Sequence, residues 1–334
     1  MHLKQNLRFF AVEKITVIYI LITALIIILL PNVTNINQLI LNRLMIVAVI
    51  FILAYLNSKL NWWIISLIRY AFLGGLLAYW YPETFDINRM MFNRDYILAG
   101  FEQSILGMQP AFLFHQNYSQ QWVSELLYMG YLAYYPLIIG TSLYFFFKDR
   151  KYFEYFFFTV LVSFFAYYLI FILFPTAGPQ FYFQAIGGEN VQAGIFPQIG
   201  SYFNLHPMLS SPNDCSGLFC EMVKGTQQVG ERPTAAFPSS HVGISSLIMI
   251  LIFKNKRYIY FALLLPIYIA LVLATVYIQA HYVIDVLIGF VSSVLFYFMG
   301  SYVYSHFTRR YYGVLELTAK FHTQPTIIKT SNRY

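Results

Sequence analysis

Charged residues are scarce in this chain. Only 10% of its 334 residues are Asp, Glu, Lys or Arg, whereas 59% are hydrophobic. A soluble globular domain usually carries about 25% charged residues, and a chain this apolar cannot hide its excess in one soluble core. The excess must therefore face lipid. The formal net charge of +7 carries less information than the positions of the charges, and nucleic acid is not an expected partner.

Cysteine is just as scarce, since the chain has only two, Cys215 and Cys220. No group of Cys and His has the spacing of metal ligands, so neither a metal nor another cofactor is predicted. Both cysteines fall in a segment predicted to lie outside the cytoplasm, where disulfides persist. They are a disulfide candidate, with two free thiols as the alternative.

The apolar residues are gathered into eight long runs. A membrane-spanning helix needs roughly 20 mainly apolar residues, and each run reaches or approaches that length. The predicted spans are residues 15–30, 39–56, 62–81, 122–147, 155–174, 237–253, 258–278 and 282–304. The predicted fold is all-α, a polytopic transmembrane helical bundle that forms a single integral membrane domain over residues 1–334.

The loops give an orientation. If the N-terminus is cytoplasmic, most of the 21 basic residues fall in inner segments, as the positive-inside rule requires. Both termini are then cytoplasmic, with residues 305–334 as a tail. An interfacial helix over residues 96–114 and a cap loop over residues 175–236 lie on the other face, which is periplasmic or lumenal. The absence of a targeting signal and the short loops favour a bacterial inner membrane over a Golgi-type one.

Two short motifs carry the candidate chemistry. The first is Arg232-Pro233 followed by Pro238-Ser239-Ser240-His241, and the second pairs His281 with Asp285. Spacing of i, i+4 places the latter two on one helix face, where a carboxylate can fix the tautomer of the imidazole.

Phosphate binding is the chemistry that the first motif favours. Pro238 suits the first turn of a helix, whose free amides would form an anion site, and the guanidinium of Arg232 can grip phosphate oxygens. The predicted topology places Arg232, both histidines and Asp285 at one depth on the non-cytoplasmic face.

These motifs resemble those of the type 2 phosphatidic acid phosphatase superfamily. The resemblance covers roughly residues 224–289. More loosely, Asp95, Glu102, Gly107 and Pro110 resemble a stretch of inositol phosphorylceramide synthases, as does the run from Phe174 to Pro179. Two basic residues of the phosphatases are absent, since Gly225 and Thr275 stand at their positions. Their absence is similar to the sphingolipid synthase branch.

The resemblance implies a six-helix lipid phosphatase/phosphotransferase core with two additional N-terminal helices. It implies that His281 is the nucleophile or base, that Asp285 orients it, and that His241 is the general acid. The expected reaction moves a phospho-headgroup, foremost phosphoinositol, from a phospholipid donor to a ceramide-type lipid acceptor. The alternatives are a lipid phosphatase or pyrophosphatase of the same superfamily, and a transporter or scaffold without chemistry.

Further polar residues have two readings each. Ser239 and Ser240 could contact phosphate, or Ser239 could only cap a helix. Lys224 could replace the missing lysine of the phosphatases or be a solvated loop residue. The remaining candidates are intramembrane Arg69, which could bind a headgroup or pair with Glu125, and Glu102 with Asp95, which could line a headgroup site or face solvent.

Overall fold

The structure, a computed structural model, describes residues 7–31, 33–60, 62–206 and 216–322. Within these ranges the chain forms 14 α-helices, one short 3-10 helix and no strand, so the predicted all-α fold is confirmed. The α-helices are α1 (Ala11–Leu29), α2 (Ile36–Leu60), α3 (Trp63–Asn88), α4 (Asp95–Leu106), α5 (Pro110–Asn117), α6 (Gln121–Leu132), α7 (Tyr134–Lys148), α8 (Arg150–Leu173), α9 (Pro179–Ile186), α10 (Gly188–Gln192), α11 (Leu218–Gly230), α12 (Ser240–Lys254), α13 (Tyr258–Tyr277) and α14 (Val283–His322).

All eight predicted spans are helical, but fewer than eight have the length of a full span. Six helices are long and apolar enough to cross a membrane, namely α1, α2, α3, α8, α13 and α14. The pair α6 and α7 qualifies only as one span bent by 42°. Pro136 lacks the amide that would bond to the carbonyl of Leu132, which accounts for the bend. Helix α12 is apolar but has only 15 residues.

Two helices run past their predicted ends. Helix α3 continues through Pro82 to Asn88, where the sequence predicts an exit at residue 81. Helix α14 continues to His322, so residues 305–322 of the predicted tail extend the last helix, and residues 323–334 lie outside the described residues. Pro82 cannot donate to the carbonyl of Ala78, yet the helix continues, and Trp80 and Phe85 on either side of it are buried in the bundle.

The two long segments between spans are folded into helices. The interfacial helix predicted over residues 96–114 is divided in two, because Gly107 adopts a left-handed φ of 68° that ends α4 and Pro110 starts α5. The segment 175–236, predicted as a cap loop, contains α9, α10 and α11; its residues 207–215 lie outside the described residues.

Helix α8 is the centre of the bundle. Of its apolar window, 72% is buried, more than in any other candidate span of the described chain, and it packs against α1, α3, α7, α12 and α14. Its phenylalanines fill the largest hydrophobic cluster. At one end of the bundle, the Asn88 side chain donates to the Phe171 carbonyl (2.7 Å) and to Thr234 Oγ1 (3.0 Å). This end, where α3 and α8 finish and α12 and α14 begin, is called the histidine end below.

Candidate active site

Residues 176–180, which follow α8, form hydrogen bonds to both of the segments that carry the histidines. We call these residues the bracket. The carbonyl of Thr176 accepts from the Ala236 amide (3.0 Å), and Thr176 Oγ1 accepts from the Phe237 amide (2.8 Å). The Gln180 amide donates to the carbonyl of Gln279 (2.7 Å). Gly178 between them has a φ of +84°, and a Cβ there would lie 2.5 Å from the Ala280 carbonyl oxygen. Only glycine fits this close approach.

Helix α12 begins at Ser240, two residues after the Pro238 at which the motif predicts its start. Ser239 is its N-cap, whose Oγ accepts from the Val242 amide (3.3 Å), while the Ser239 amide donates to the main-chain oxygen of Asp285 (3.1 Å). Pro238 therefore precedes the cap and does not lie in the first turn. Ser239 is thus an N-cap, its contact with phosphate stays a prediction, and the amides of Ser240 and His241 are the first-turn donors.

The turn between α13 and α14 brings His281 to Asp285 in an unexpected way. The prediction of a shared helix face is wrong, because α14 begins only at Val283. Instead Asp285 reaches back and accepts from the Tyr282 amide through Oδ2 (2.9 Å), as in a capping box. The same oxygen lies 3.5 Å from His281 Nδ1. The carboxylate thus caps the helix and faces the imidazole at once.

His281 is held by a backbone group. Its Nδ1 lies 2.9 Å from the carbonyl oxygen of Ala236, which can only accept, so Nδ1 carries the proton and Nε2 has the free lone pair. Its amide donates to the Thr275 carbonyl (3.0 Å). Burial lowers the pKa of His281 to about 4, although the Ala236 bond and the charge of Glu231 oppose this shift. The imidazole is therefore neutral near pH 7, as a nucleophile or base must be.

His241 faces His281 from the first turn of α12. The two ring centroids are 5.7 Å apart. The His241 ring stacks on Tyr131 (4.7 Å, 23° between planes) and contacts Tyr134 at 4.4 Å, and these tyrosines flank the break between α6 and α7 at Ala133. The bend thus forms an aromatic clamp that fixes the imidazole opposite His281. Nothing in the sequence distinguishes these two among the 29 tyrosines.

Glu231 is a further titratable group at the site, beside His241, His281 and Asp285, and the sequence analysis missed it. Its carboxylate accepts from the Tyr131 hydroxyl (2.9 Å) and from the Gln180 side chain (2.7 Å). Burial raises the pKa of this carboxyl, against the hydrogen bonds and the nearby His281. The available signal was its position directly before Arg232 in a segment poor in acids.

The contacts described for Arg232 and Lys224 are with groups other than the two histidines. The guanidinium of Arg232 donates to the main-chain oxygen of Glu231 (2.7 Å) and lies near the charge of Asp86. The ammonium of Lys224 lies 3.6 Å from Glu221 on the same helix, α11. Phosphate binding by Arg232, Lys224 or Ser240 stays a prediction. Cys215 lies outside the described residues, so its pairing with Cys220 also stays a prediction.

Glu102 and Asp95 are buried, so the solvent-facing reading of both is wrong. Glu102 is 2% exposed, and its Oε2 accepts from the Ile284 amide at the start of α14 (3.1 Å). Burial raises the pKa of Glu102 to about 7. As an acceptor it holds the start of α14, next to the turn between α13 and α14 that carries His281.

Asp95 joins three segments around the site. Its carboxylate accepts from the amides of Ala177 and Gly178, from the Asn93 side chain and from the Tyr282 hydroxyl (3.1 Å). It therefore links α4 to the bracket, residues 176–180, and to the turn between α13 and α14 that carries His281. With four donors on two oxygens it is a structural residue.

Arg69 is part of a buried ion pair far from the histidines. Its guanidinium bonds to Glu13 through Nε (2.7 Å) and Nη2 (2.5 Å) and stacks over Phe10 at 3.6 Å. The proposed pairing with Glu125 is wrong, since the Glu125 carboxylate accepts from main-chain amides at the start of α11. Arg69 lies about 18 Å along α3 from Tyr81 near the histidine end, at 1.5 Å per residue.

A long cleft leads away from the histidines. Its volume is about 560 Å³, within the usual range for ligand sites. His241, Ser240, Glu231 and Tyr131 line it at the histidine end together with Thr226 and Gly230 of α11, and the rest of its wall comes from α3, α7 and α8. An imidazole at the head of an apolar cleft, with a second imidazole beside it that has a free Nε2, supplies the acid–base and nucleophilic groups that phosphoryl transfer requires.

Comparison with known families agrees with this geometry. Residues 97–299 match the family model described as PAP2 superfamily, and the matched segment contains both histidines and Asp285. No curated protein and no solved structure matches the chain. Because the match covers more than half of its residues, this membrane-spanning chain belongs to the PAP2 superfamily, whose members are typically lipid phosphatases or phosphotransferases.

Proposed function

We propose that the protein is a membrane phosphotransferase that moves a phospho-headgroup, foremost phosphoinositol, from a glycerophospholipid to ceramide or dihydroceramide. The observation that carries the proposal is His241, which lines the head of an apolar cleft of about 560 Å³ and whose ring centroid lies 5.7 Å from that of His281. A reaction between two lipids needs acid–base groups beside space for hydrocarbon, and this arrangement supplies both.

The first half of the reaction uses His281 as nucleophile. Its Nε2 attacks phosphorus while Nδ1–H stays bonded to the Ala236 carbonyl. The bond from phosphorus to the diacylglycerol oxygen breaks, and His241, whose protonated form is favoured by the anionic phosphate of the bound donor, gives its proton to that oxygen. The products are diacylglycerol and a phosphohistidine, whose ring carries positive charge beside Asp285.

The second half reverses the roles. The acceptor hydroxyl gives its proton to His241 and attacks phosphorus, the phosphorus–nitrogen bond breaks, and neutral His281 is restored. Each positioned acid–base group contributes about 10²–10⁴-fold to such a step. A direct transfer, in which His281 deprotonates the acceptor hydroxyl, uses the same residues. Release of diacylglycerol without any acceptor would favour the phosphohistidine route.

We favour transfer over hydrolysis because two basic residues expected of the phosphatases are absent from this chain. Gly225 and Thr275 replace the lysine and arginine that the resemblance leads one to expect in phosphatases. Thr275 is fully buried, and its carbonyl accepts from the His281 amide. A long cationic side chain at this position would disturb the turn that holds His281.

The orientation of the reaction is also proposed. Basic residues such as Lys59, Lys148, Arg150 and Lys254 lie at helix ends opposite the histidine end. By the positive-inside rule, that opposite end is cytoplasmic and the histidines act at the periplasmic or lumenal face.

The test is a reconstituted transfer assay. Purified protein in liposomes is given phosphatidylinositol or another phospholipid with isotope-labelled ceramide, and the lipids are read by mass spectrometry. The variants are His241→Ala and His281→Ala, with His206→Ala as a matched control, since His206 is an exposed histidine stacked on Tyr202 outside the cleft.

A labelled phosphoceramide from the wild type and His206→Ala, and none from the other two variants, supports the proposal and names the headgroup. Free phosphate or a dephosphorylated lipid without a ceramide product refutes transfer in favour of the phosphatase. Absence of all products from every tested donor favours a chain without this chemistry.

A further inference from the structure

The cleft below the histidines has a lateral opening between α3 and α7. Both helices pack on α8, which forms the back wall. Exposed lining residues mark the two rims: Ala71, Gly75 and Ala78 on α3, and Tyr135, Ile139 and Leu143 on α7. In a membrane these rims face hydrocarbon, so a lipid can enter from the side.

The α3 rim is shaped by small residues at i, i+3, i+4 and i+7, which are Ala71, Gly74, Gly75 and Ala78. A Cβ added at Gly75 would meet nothing within 4 Å, and one at Gly74 would meet only the Phe157 ring at 3.6 Å. Glycine is less favourable than alanine inside a helix, and here it leaves open space along the cleft.

The interior of the cleft is apolar apart from its head. The Ser142 hydroxyl donates to the Ile138 carbonyl, and the Tyr168 hydroxyl donates to the Leu77 carbonyl. The protons of both hydroxyls are thus bonded to the main chain. Apart from Tyr70, the lining side chains beyond them are hydrocarbon.

The far end of the cleft is lined by aromatic rings. Tyr70 meets Phe153 edge to face at 4.7 Å, Phe146 meets Phe153 at 5.1 Å, and the guanidinium of Arg150 covers Phe146 at 3.9 Å. From Tyr81 to Leu67 the α3 wall extends about 21 Å at 1.5 Å per residue. That exceeds half of a hydrocarbon core of about 30 Å.

We infer that this cleft holds one full-length hydrocarbon chain of the lipid alcohol whose oxygen meets His241, and that the aromatic floor sets the longest chain accepted. The inference rests on the proposed function, because His241 serves the leaving diacylglycerol and the arriving acceptor in turn, so that both use the cleft in succession. One wall, α3, lies outside the segment that matches the superfamily, so chain selection is a property of this protein's own N-terminal part.

The first test compares chain lengths in the transfer assay. Gly75 lies about 9 Å along α3 from Tyr81, so Gly75→Leu obstructs the middle of the cleft and leaves its head open. Each methylene kept from burial is worth about fourfold. We expect Gly75→Leu to lower kcat/KM for palmitoyl-ceramide by about tenfold or more, while hexanoyl-ceramide is used as by the wild type. The matched control is Gly140→Leu, an equally exposed glycine on α7 that does not line the cleft.

The second test does not depend on turnover. A diacylglycerol with a photoreactive diazirine near the end of one palmitoyl chain is crosslinked to the wild type and both glycine variants in liposomes. We expect labelled peptides from the floor around Tyr70, Phe146 and Phe153, and loss of that label in Gly75→Leu but not in Gly140→Leu.

The outcomes separate the two proposals. Floor labelling without any transfer product would refute the proposed function and support the cleft as a hydrocarbon site. Transfer that is equally reduced for both ceramides, or labelling that Gly75→Leu leaves unchanged, would overturn the inference.

Discussion

The charge of Asp285 should matter more than its hydrogen bond, and Asp285→Asn separates the two. An asparagine oxygen can still accept from the Tyr282 amide, so the start of α14 keeps its cap. The amide cannot supply a negative charge 3.5 Å from His281 Nδ1, where positive charge develops during attack.

The magnitude follows from this distance. At an effective dielectric constant of 20, unit charges 3.5 Å apart interact by about 5 kcal/mol, which is a ceiling because the charge is only partly developed in the transition state. We therefore expect Asp285→Asn to lower kcat by between about a hundredfold and a thousandfold. Asp285→Ala should lose the same factor and, in addition, about 1 kcal/mol of stability with the cap.

The assay measures kcat and KM for lipid turnover, together with thermal unfolding in detergent, for both variants. Asp149→Asn is the matched control, since Asp149 caps α8 at the other end of the bundle by accepting from Tyr152 (3.1 Å), and asparagine caps equally well. Turnover by Asp285→Asn at the wild-type rate would refute the reasoning and assign orientation of His281 to the Ala236 carbonyl alone.

Three further changes have definite expected outcomes. Because burial lowers the pKa of His281 to about 4, protonation of its free Nε2 should reduce kcat/KM only well below pH 6.5. A decline of kcat/KM centred near pH 6.5 on acidification would contradict the buried, neutral imidazole. Burial raises the pKa of Glu102 to about 7, so the stability contributed by its protonated carboxyl is complete below about pH 4.5 and is lost as pH rises through about 7. Glu102→Gln should therefore raise the melting temperature at pH 8 more than at pH 5. Equal increases at the two pH values would argue against a protonated side chain. Arg69→Met should lower the free energy of unfolding by about 3–5 kcal/mol, because it leaves Glu13 buried and unpaired. In a melting experiment, the double variant with Glu13→Leu should regain most of that stability. An Arg69→Met variant as stable as the wild type would show that the pair contributes little.

The parts of the fold that could be predicted are those set by local sequence, and the parts that could not depend on contacts between distant segments. Apolar runs of about 20 residues are a local signal, and every predicted span is helical. The break between α4 and α5 follows from Gly107 and Pro110, yet the extension of α3 through Pro82 depends on packing that the sequence does not display. The partner of Arg69 is likewise set by the way that α1 meets α3.

The site shows the same division. His241, His281 and Asp285 carry a spacing that motif reading can detect, and the structure brings them together. The group that holds His281 is the carbonyl of Ala236, and a main-chain oxygen leaves no trace in residue identity. Glu231 was missed for a different reason, since an acid beside an arginine in a loop is ordinarily solvated.

The carboxylate of Asp95 has a consequence for how the protein is made. Its donors come from residues 93, 177, 178 and 282, and the last of these is synthesised nearly 190 residues after Asp95 itself. Until the ribosome has delivered that tyrosine, the carboxylate lacks one of its four donors, and the link from α4 to the segment before α14 cannot form. Because His281 is made at the same late stage, the complete site can assemble only when synthesis has reached the start of the last helix.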